Sequence, residues 1–150
     1  MCDRSTELRK EQTDRESTGD ATASPAVVRV MIVDDQQPFR AAARAVVERV
    51  AGFALVGEVD SGEDAVAACA SDAPDLVLMD INMGTLDGIE ATRLITGADP
   101  SIRVILVSTY ALDDLPPGAR TSGAIAYVNK DELSPKVIRK LWESGGDPAW

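Results

Sequence analysis

The chain has 150 residues, of which 45% are hydrophobic and only 4% aromatic, and its formal net charge is −10 at pH 7. This length suits one domain, and an aliphatic core favours a helix-covered parallel sheet over an aromatic-rich β-sandwich. The strong acidity disfavours direct binding to nucleic acid or to anionic lipid.

Residue types that are rare in the sequence narrow the chemistry further. There is no histidine, and Cys2 and Cys69 are the only cysteines, so zinc sites and histidine-based triads are excluded. Any metal site must use oxygen ligands, which favours Mg²⁺ or Ca²⁺.

No apolar stretch approaches the roughly 20 residues of a membrane span, and the polar N-terminus lacks the apolar region of a signal peptide. We therefore expect a cytoplasmic protein without membrane contact.

Composition also divides the chain into a tail and a domain. Residues 1–24 are mainly charged and small polar, so we expect a disordered tail that cannot bury enough apolar surface to offset chain entropy. The folded domain is expected at 25–144. Glycine and proline in 145–150 predict a loose C-terminal end.

Strands and helices alternate along this predicted domain. Five apolar segments predict strands, in chain order 27–33, 54–59, 75–80, 103–107 and 124–128. Apolar residues at helical spacing predict helices at 38–50, 63–70, 89–96 and 135–143. The alternation predicts an α/β fold: a flavodoxin-like, doubly wound, five-stranded parallel sheet of order 2-1-3-4-5 with helices on both faces.

One connection departs from this regularity. Between the fourth and fifth strands, Pro116 and Pro117 are followed by Gly118, and such a sequence cannot lie inside a regular helix. Either a fourth helix begins late, at one of these prolines, or it is largely unwound. We therefore expect this helix to be short or irregular.

Polar residues follow the ends of the predicted strands. They are Asp34 and Asp35 after the first strand, Asp80 at the end of the third, Ser108 after the fourth and Lys130 after the fifth. The carboxyl ends of parallel strands lie at one rim, so we expect these side chains to meet there. Three neighbouring carboxylates repel one another and need a cation, for which a partly hydrated Mg²⁺ is suited.

This set of side chains is suited to phosphoryl transfer. Asp80 would be the nucleophile that forms an aspartyl phosphate, while Lys130 and Ser108 would bind phosphoryl oxygens. Each residue also has a structural interpretation. Asp80 could cap a turn, Asp34 and Asp35 could cap the first helix, Ser108 could simply end a strand, and Lys130 could be a solvated charge. Their coincidence at strand ends favours the chemical interpretation.

The same motifs resemble a known family, the receiver domain of two-component response regulators. The resemblance covers about residues 29–141, and its motifs are Val33-Asp34-Asp35, Leu78-Met79-Asp80-Ile81-Asn82-Met83 with Asp87-Gly88, Val107-Ser108-Thr109 and Tyr127-Val128-Asn129-Lys130. It is similar above all to receivers that usually precede a helix-turn-helix DNA-binding module. The resemblance implies that Asp80 accepts a phosphoryl group from a sensor histidine kinase or phosphotransfer protein.

The resemblance also implies roles for the other rim residues. Mg²⁺ would be held by Asp35, Asp80 and the backbone carbonyl of Asn82, with Asp34 acting through water. Ser108 would be the switch hydroxyl. Tyr127 would be the switch aromatic residue, for which ordinary packing at the sheet edge is the alternative. No separate substrate turnover is expected, so the protein would not be an enzyme. Its downstream partner would be an unknown protein, and a homodimer is compatible with the resemblance.

Two departures from the family pattern lead to expectations of their own. Gly84 stands where the family usually has a proline, so the loop after Asp80 gains flexibility. The irregular fourth helix belongs to the family's output surface, so we expect that surface to be atypical or mobile.

Several functions are compatible with the sequence. Because the sequence ends at Trp150, a few residues after the last predicted helix, we expect a stand-alone receiver that acts through protein contacts. Alternatives are the receiver part of a longer DNA-binding regulator and a receiver-like binding module that is not phosphorylated. A free-standing aspartyl-phosphate phosphatase is a further alternative, but it usually needs Asp-x-Asp after the first strand.

Overall fold

A computed structural model describes residues 27–150. The predicted N-terminal tail, residues 1–24, lies outside the described part of the chain. Within residues 27–150, none of the helices combines the length and apolar character needed to cross a bilayer.

The described chain forms one parallel sheet covered by helices. The strands are β1 Val28–Val33, β2 Phe53–Val59, β3 Leu76–Asp80, β4 Arg103–Ser108 and β5 Ala126–Asn129. The α-helices are α1 Gln37–Glu48, α2 Gly62–Asp72, α3 Gly88–Ala98 and α4 Pro135–Ser144. All four strand pairings are parallel and the order is β2-β1-β3-β4-β5, which confirms the predicted fold.

Three of the helices begin at side-chain caps that the sequence supplies. The hydroxyls of Ser61 and Ser134 and the carboxylate of Asp87 each accept a hydrogen bond from the backbone N–H three residues later. Each bond satisfies a donor that the first helical turn would otherwise leave unpaired. At the other end of α4, Gly145 adopts a φ of 78° and stops the helix.

The core lies on both faces of the sheet. Alternate side chains of the central strands point to opposite faces, and every residue of β3 is buried. One face packs against α1 and α4, and the other packs against α2 and α3. Burying each large aliphatic side chain stabilises the fold by roughly 1.5–3 kcal/mol, so these two layers hold the strand ends in place.

Residues 109–125 connect β4 to β5 without an α-helix. They contain a short 3₁₀ turn, Leu112–Asp114, and then a series of bends. The backbone bonds donated there by Ala119, Thr121 and Ser122 are long, each at 3.3 Å. The irregularity predicted for the fourth helix is confirmed, because proline lacks an N–H and restricts the residue before it.

The last six residues differ from the loose end that the sequence predicts. Gly146 is buried, and the Asp147 N–H donates to the Ile125 carbonyl at 3.0 Å. The Trp150 indole N–H donates to the Ala124 carbonyl at 2.9 Å. Glycine and proline suggested a loose segment, but the large indole at position 150 has apolar area to bury and holds the segment against the sheet.

Candidate functional site

The strand register brings the predicted polar residues to one edge of the sheet. Val33 lies beside Met79 across β1 and β3, and Asp80 lies beside Val107 across β3 and β4. The residues that end these strands therefore lie at the same level. This rim contains Asp34, Asp35, Asp80, Ser108 and Lys130.

Three carboxylates and one ammonium group form the centre of the rim. Carboxylate oxygens of Asp34, Asp35 and Asp80 all lie within 4.8 Å of one another. The Lys130 Nζ is 2.7 Å from Asp34 Oδ2 and 3.6 Å from Asp80 Oδ1. When all four groups are ionised the cluster has two more negative than positive charges, which a divalent cation would balance.

Asp34 is the most enclosed member of this cluster. It is fully buried, its Oδ1 accepts a hydrogen bond from the Gln36 N–H at 2.7 Å, and Arg40 donates to its backbone carbonyl at 2.7 Å. No N–H or O–H among residues 27–150 donates to its Oδ2 in hydrogen-bond geometry, although the Lys130 ammonium pairs with it by charge. A buried carboxylate oxygen in this state is suited to a cation or to one of its bound waters.

The cluster therefore fits Mg²⁺. Opposite ligands of an octahedral Mg²⁺ are roughly 4.2 Å apart, comparable with the spacing of the three carboxylates. All the candidate ligands are oxygens, as this ion requires. Asp35 is exposed and Asp80 is buried, so the cluster opens to solvent on one side only.

Burial raises the pKa of Asp80 to about 6, and the negative charges of Asp34 and Asp35 add to this effect. The Lys130 ammonium and a hydrogen bond from the Asn82 backbone N–H act in the opposite direction. At neutral pH most Asp80 side chains are therefore ionised and nucleophilic, but their charge is costly to bury. A cation or a phosphoryl-binding group nearby would reduce that cost.

Phe39 contributes to the site in a way that its helical spacing did not indicate. The Lys130 Nζ lies 4.4 Å from the centre of the Phe39 ring, a cation–π contact. In the sequence, Phe39 is one of the apolar residues at helical spacing in the predicted helix 38–50. The two residues are far apart in the chain, so no local pattern could have shown this contact.

Ser108 and Tyr127 meet at the neighbouring strand end. Ser108 is buried, and the Tyr127 hydroxyl donates to the backbone carbonyls of Ser108 at 3.0 Å and of Tyr110 at 2.6 Å. The Tyr110 hydroxyl donates in turn to Asn82 Oδ1 at 3.1 Å. Tyr110, which the sequence did not single out, thus joins the loop after β4 to the loop after β3.

Two glycines follow Asp80, Gly84 in the loop and Gly88 at the first position of α3. At Gly88 a Cβ would lie 1.9 Å from the Asp80 carbonyl oxygen, whereas at Gly84 it would meet nothing within 4 Å. The Gly88 N–H also donates to the Ile81 carbonyl at 2.9 Å. Gly88 therefore allows α3 to begin directly against the backbone of Asp80.

Comparison with known protein families identifies the family of the domain that carries this rim. Residues 30–142 match the response regulator receiver domain. The chain belongs to this family. The receiver is 35% identical over 115 residues to the response regulator UvrY of Escherichia coli strain K12, covering 77% of this chain and 53% of that protein. It is 33% identical over 115 residues to the response regulator GacA of Pseudomonas aeruginosa, covering 77% of this chain and 54% of that protein.

Solved receiver structures have the same fold. A LuxR-family two-component response regulator from Aurantimonas sp. SI85-9A1 superposes with a TM-score of 0.71 at 30% identity, covering 79% of this chain and 84% of that one. The receiver domain of the putative response regulator NarL from Mycobacterium tuberculosis gives a TM-score of 0.73 at 25% identity, covering 80% and 97%. The chain spans about half the length of the curated relatives it matches.

Proposed function

We propose that Asp80 is the phosphoacceptor of this receiver, with a phosphohistidine of a sensor histidine kinase or phosphotransfer protein as donor. The observation that carries the proposal is a buried carboxylate with a raised pKa between Asp34, Asp35 and the Lys130 ammonium. An Asp80 oxygen attacks phosphorus, a P–O bond forms, and the P–N bond to the imidazole breaks. The released imidazole takes up a proton, and the product is an acyl phosphate.

Mg²⁺ is the proposed cofactor of this step. Asp35, Asp80 and the backbone carbonyl of Asn82 would hold it, with Asp34 acting through water. When bound it would neutralise charge on the phosphoryl oxygens. The excess negative charge of the cluster and the Asp34 oxygen without a hydrogen-bond donor support this choice.

The protein's own side chains bind the remaining phosphoryl oxygens. Lys130, already 3.6 Å from Asp80, would pair with one oxygen, and the Ser108 hydroxyl would donate to another. Ser108 would act as the switch hydroxyl, and Tyr127 would follow it. The contact between Tyr127 and the Ser108 carbonyl supports this link.

Hydrolysis later removes the phosphoryl group from Asp80 and so ends the signal. Water attacks phosphorus, inorganic phosphate leaves and the Asp80 carboxylate returns, so no separate substrate is turned over. The phosphorylated receiver would act on a downstream protein or on a second copy of itself, in the cytoplasm. Direct binding of nucleic acid by residues 27–150 is not expected, because the chain carries a formal net charge of −10.

A small-molecule phosphodonor with Mg²⁺ tests the phosphoacceptor. Intact mass measurement after rapid quenching should show one added phosphoryl group on the parent protein and none on Asp80→Asn. Asp60→Asn is a matched control, because Asp60 is exposed and follows the neighbouring strand β2. An unmodified parent protein, or an Asp80→Asn variant that is labelled equally, would contradict the proposal and favour a receiver that is not phosphorylated.

A second arrangement is favoured by one observation: the curated relatives are about twice as long as the matched region. The receiver could therefore act within a longer DNA-binding regulator instead of through protein contacts alone. The coding region decides between them. An in-frame stop codon directly after the Trp150 codon supports the shorter arrangement, and continued reading frame supports the longer one.

A further inference from the structure

The last six residues form a surface contact that the proposed function does not use. We call residues 145–150 the C-terminal strap. It lies against Ala124 and Ile125, just before β5 and next to the segment that has bends instead of a fourth helix. Trp150 is half-buried against the core cluster on this side of the sheet. Gly146, with a φ of 132°, brings the strap so near the sheet that a Cβ there would lie 2.7 Å from the Ile125 carbonyl oxygen.

Contacts along its length hold the strap in place. The Trp150 indole N–H donates to the Ala124 carbonyl at 2.9 Å, and the Arg120 guanidinium lies 4.8 Å from the centre of the indole ring. Arg120 also donates to the backbone carbonyl of Trp150 at 3.3 Å. A half-buried indole with a satisfied N–H and a cation on its face is an ordered contact.

Trp150 touches the proposed switch. Its ring stacks on that of Tyr127, with centroids 6.5 Å apart and planes 24° apart. The Tyr127 hydroxyl in turn donates to the carbonyls of Ser108 and Tyr110, and Tyr110 donates to Asn82, two residues after Asp80. A continuous series of direct contacts therefore links Asn82, in the loop after Asp80, to Trp150 in the strap.

We propose that Trp150 is a positioning residue for the phosphorylation switch. Stacked on Tyr127, it keeps the Tyr127 hydroxyl on the carbonyls of Ser108 and Tyr110 and so resists movement of Ser108 toward Asp80. Phosphorylation then weakens the stack between Trp150 and Tyr127. Because the coupling free energy is the same in both directions, loss of this stack favours the phosphorylated state. The proposal rests on the proposed function, since it takes Asp80 as the phosphoacceptor and Ser108 as the switch hydroxyl.

The two tryptophans allow a matched fluorescence experiment. Trp142 lies on the opposite face of the sheet, where its ring packs edge-on against Phe53 and beneath Arg103. In Trp142→Phe, where Trp150 is the only tryptophan, phosphodonor and Mg²⁺ should change the tryptophan emission at the rate at which the phosphoryl mass appears. In Trp150→Phe, where Trp142 is the only tryptophan, the same addition should leave the tryptophan emission unchanged.

Phosphorylation rates test the positioning role itself. Trp150→Ala should be phosphorylated roughly two- to tenfold faster than the parent, because the aromatic pair that opposes movement of Ser108 toward the phosphoryl group in the transition state is lost. Trp142→Ala, an equal truncation on the other face, should lower stability without this acceleration. If Trp150 acts through Tyr127, Tyr127→Phe should also accelerate the reaction, and the double variant should be no faster than the faster single variant.

The outcomes separate this proposal from the one on which it rests. No phosphoryl adduct on the parent protein would overturn both. An adduct with constant Trp150 emission and an unchanged rate in Trp150→Ala would overturn only the role of Trp150, as would strictly multiplicative effects in the double variant. If Trp150→Ala does not fold, Gly146→Ala lifts the strap while keeping the indole, and the same acceleration is expected from it.

Discussion

At the scale of single residues, the main feature is the buried charge of Asp80, which lowers the free energy of unfolding at neutral pH. Its pKa is raised from 3.8 to about 6 by burial and by the neighbouring carboxylates. Because the pKa of Asp80 is higher in the folded than in the unfolded protein, its protonated carboxyl group stabilises the folded state, and this contribution is complete below pH 3.8. That contribution is lost as the pH rises through about 6, so at neutral pH the Asp80 charge opposes folding.

Asp80→Asn should therefore stabilise the metal-free protein at pH 7. The expected gain in the free energy of unfolding is about 1–3 kcal/mol, because a pKa shift of one unit corresponds to about 1.4 kcal/mol. The gain should shrink toward pH 4, where the parent carboxyl also becomes neutral. Urea unfolding in EDTA at several pH values measures it, with Asp60→Asn as control. A variant that is no more stable at pH 7 would contradict the assigned charge cost.

The ring of Phe39 under Lys130 leads to a second prediction at this scale. Phe39→Leu keeps an apolar side chain but removes the cation–π contact, which is worth roughly 0.5–2 kcal/mol. We expect phosphorylation by a small donor to slow by about two- to thirtyfold. Phe39→Trp should retain most of the rate. Equal slowing in both variants would show that Phe39 serves packing alone.

At the scale of the elements, the start of α3 determines where Asp80 lies. Gly88→Ala would place a methyl group against the Asp80 carbonyl oxygen, where a Cβ has 1.9 Å. We expect a loss of about 1–3 kcal/mol in stability together with slower phosphorylation, as for an overpacked core site. Gly84→Ala, in the loop just before α3 with open space around it, should be neutral or slightly stabilising. Similar stabilities for the two variants would be evidence against this contact.

The segment between β4 and β5 is the least regular element, and its backbone bonds predict how it exchanges. Amides of residues 111–123 have few backbone partners, and those of Ala119, Thr121 and Ser122 are at 3.3 Å. We expect them to exchange with deuterium at least about tenfold faster than amides in the interior of α3. Uniformly high protection across 111–123 would contradict an atypical, mobile output surface.

At the scale of the whole molecule, the proposed metal site joins the two loops that follow β1 and β3. Ligand binding to the folded state alone stabilises it by about 2.7 kcal/mol at a concentration 100-fold above Kd. Thermal unfolding should therefore move to higher temperature with rising Mg²⁺. The shift should be much smaller in Asp35→Asn, which removes the exposed ligand of the cluster. An equal shift in this variant would place the ion elsewhere.

The amino-acid sequence by itself determined the sheet and the composition of its rim. Runs of aliphatic residues predicted five parallel strands, and the carboxyl ends of parallel strands meet at one edge whatever the details of packing. Asp34, Asp80 and Lys130 could therefore be predicted as neighbours from their places after strands. Likewise the two prolines before Gly118 excluded a regular helix, because the reason is local stereochemistry.

Tertiary structure decided the contacts around that rim. Phe39 under Lys130, Tyr110 against Asn82 and Trp150 on Tyr127 each join residues of different elements. Periodicity shows which side of an element is apolar, but it does not show which side chain lies opposite. The strap illustrates this, because its glycine and proline residues predicted a loose end. The Trp150 indole holds it in place by packing against Tyr127 and donating to the Ala124 carbonyl, and these partners come together only in the folded protein.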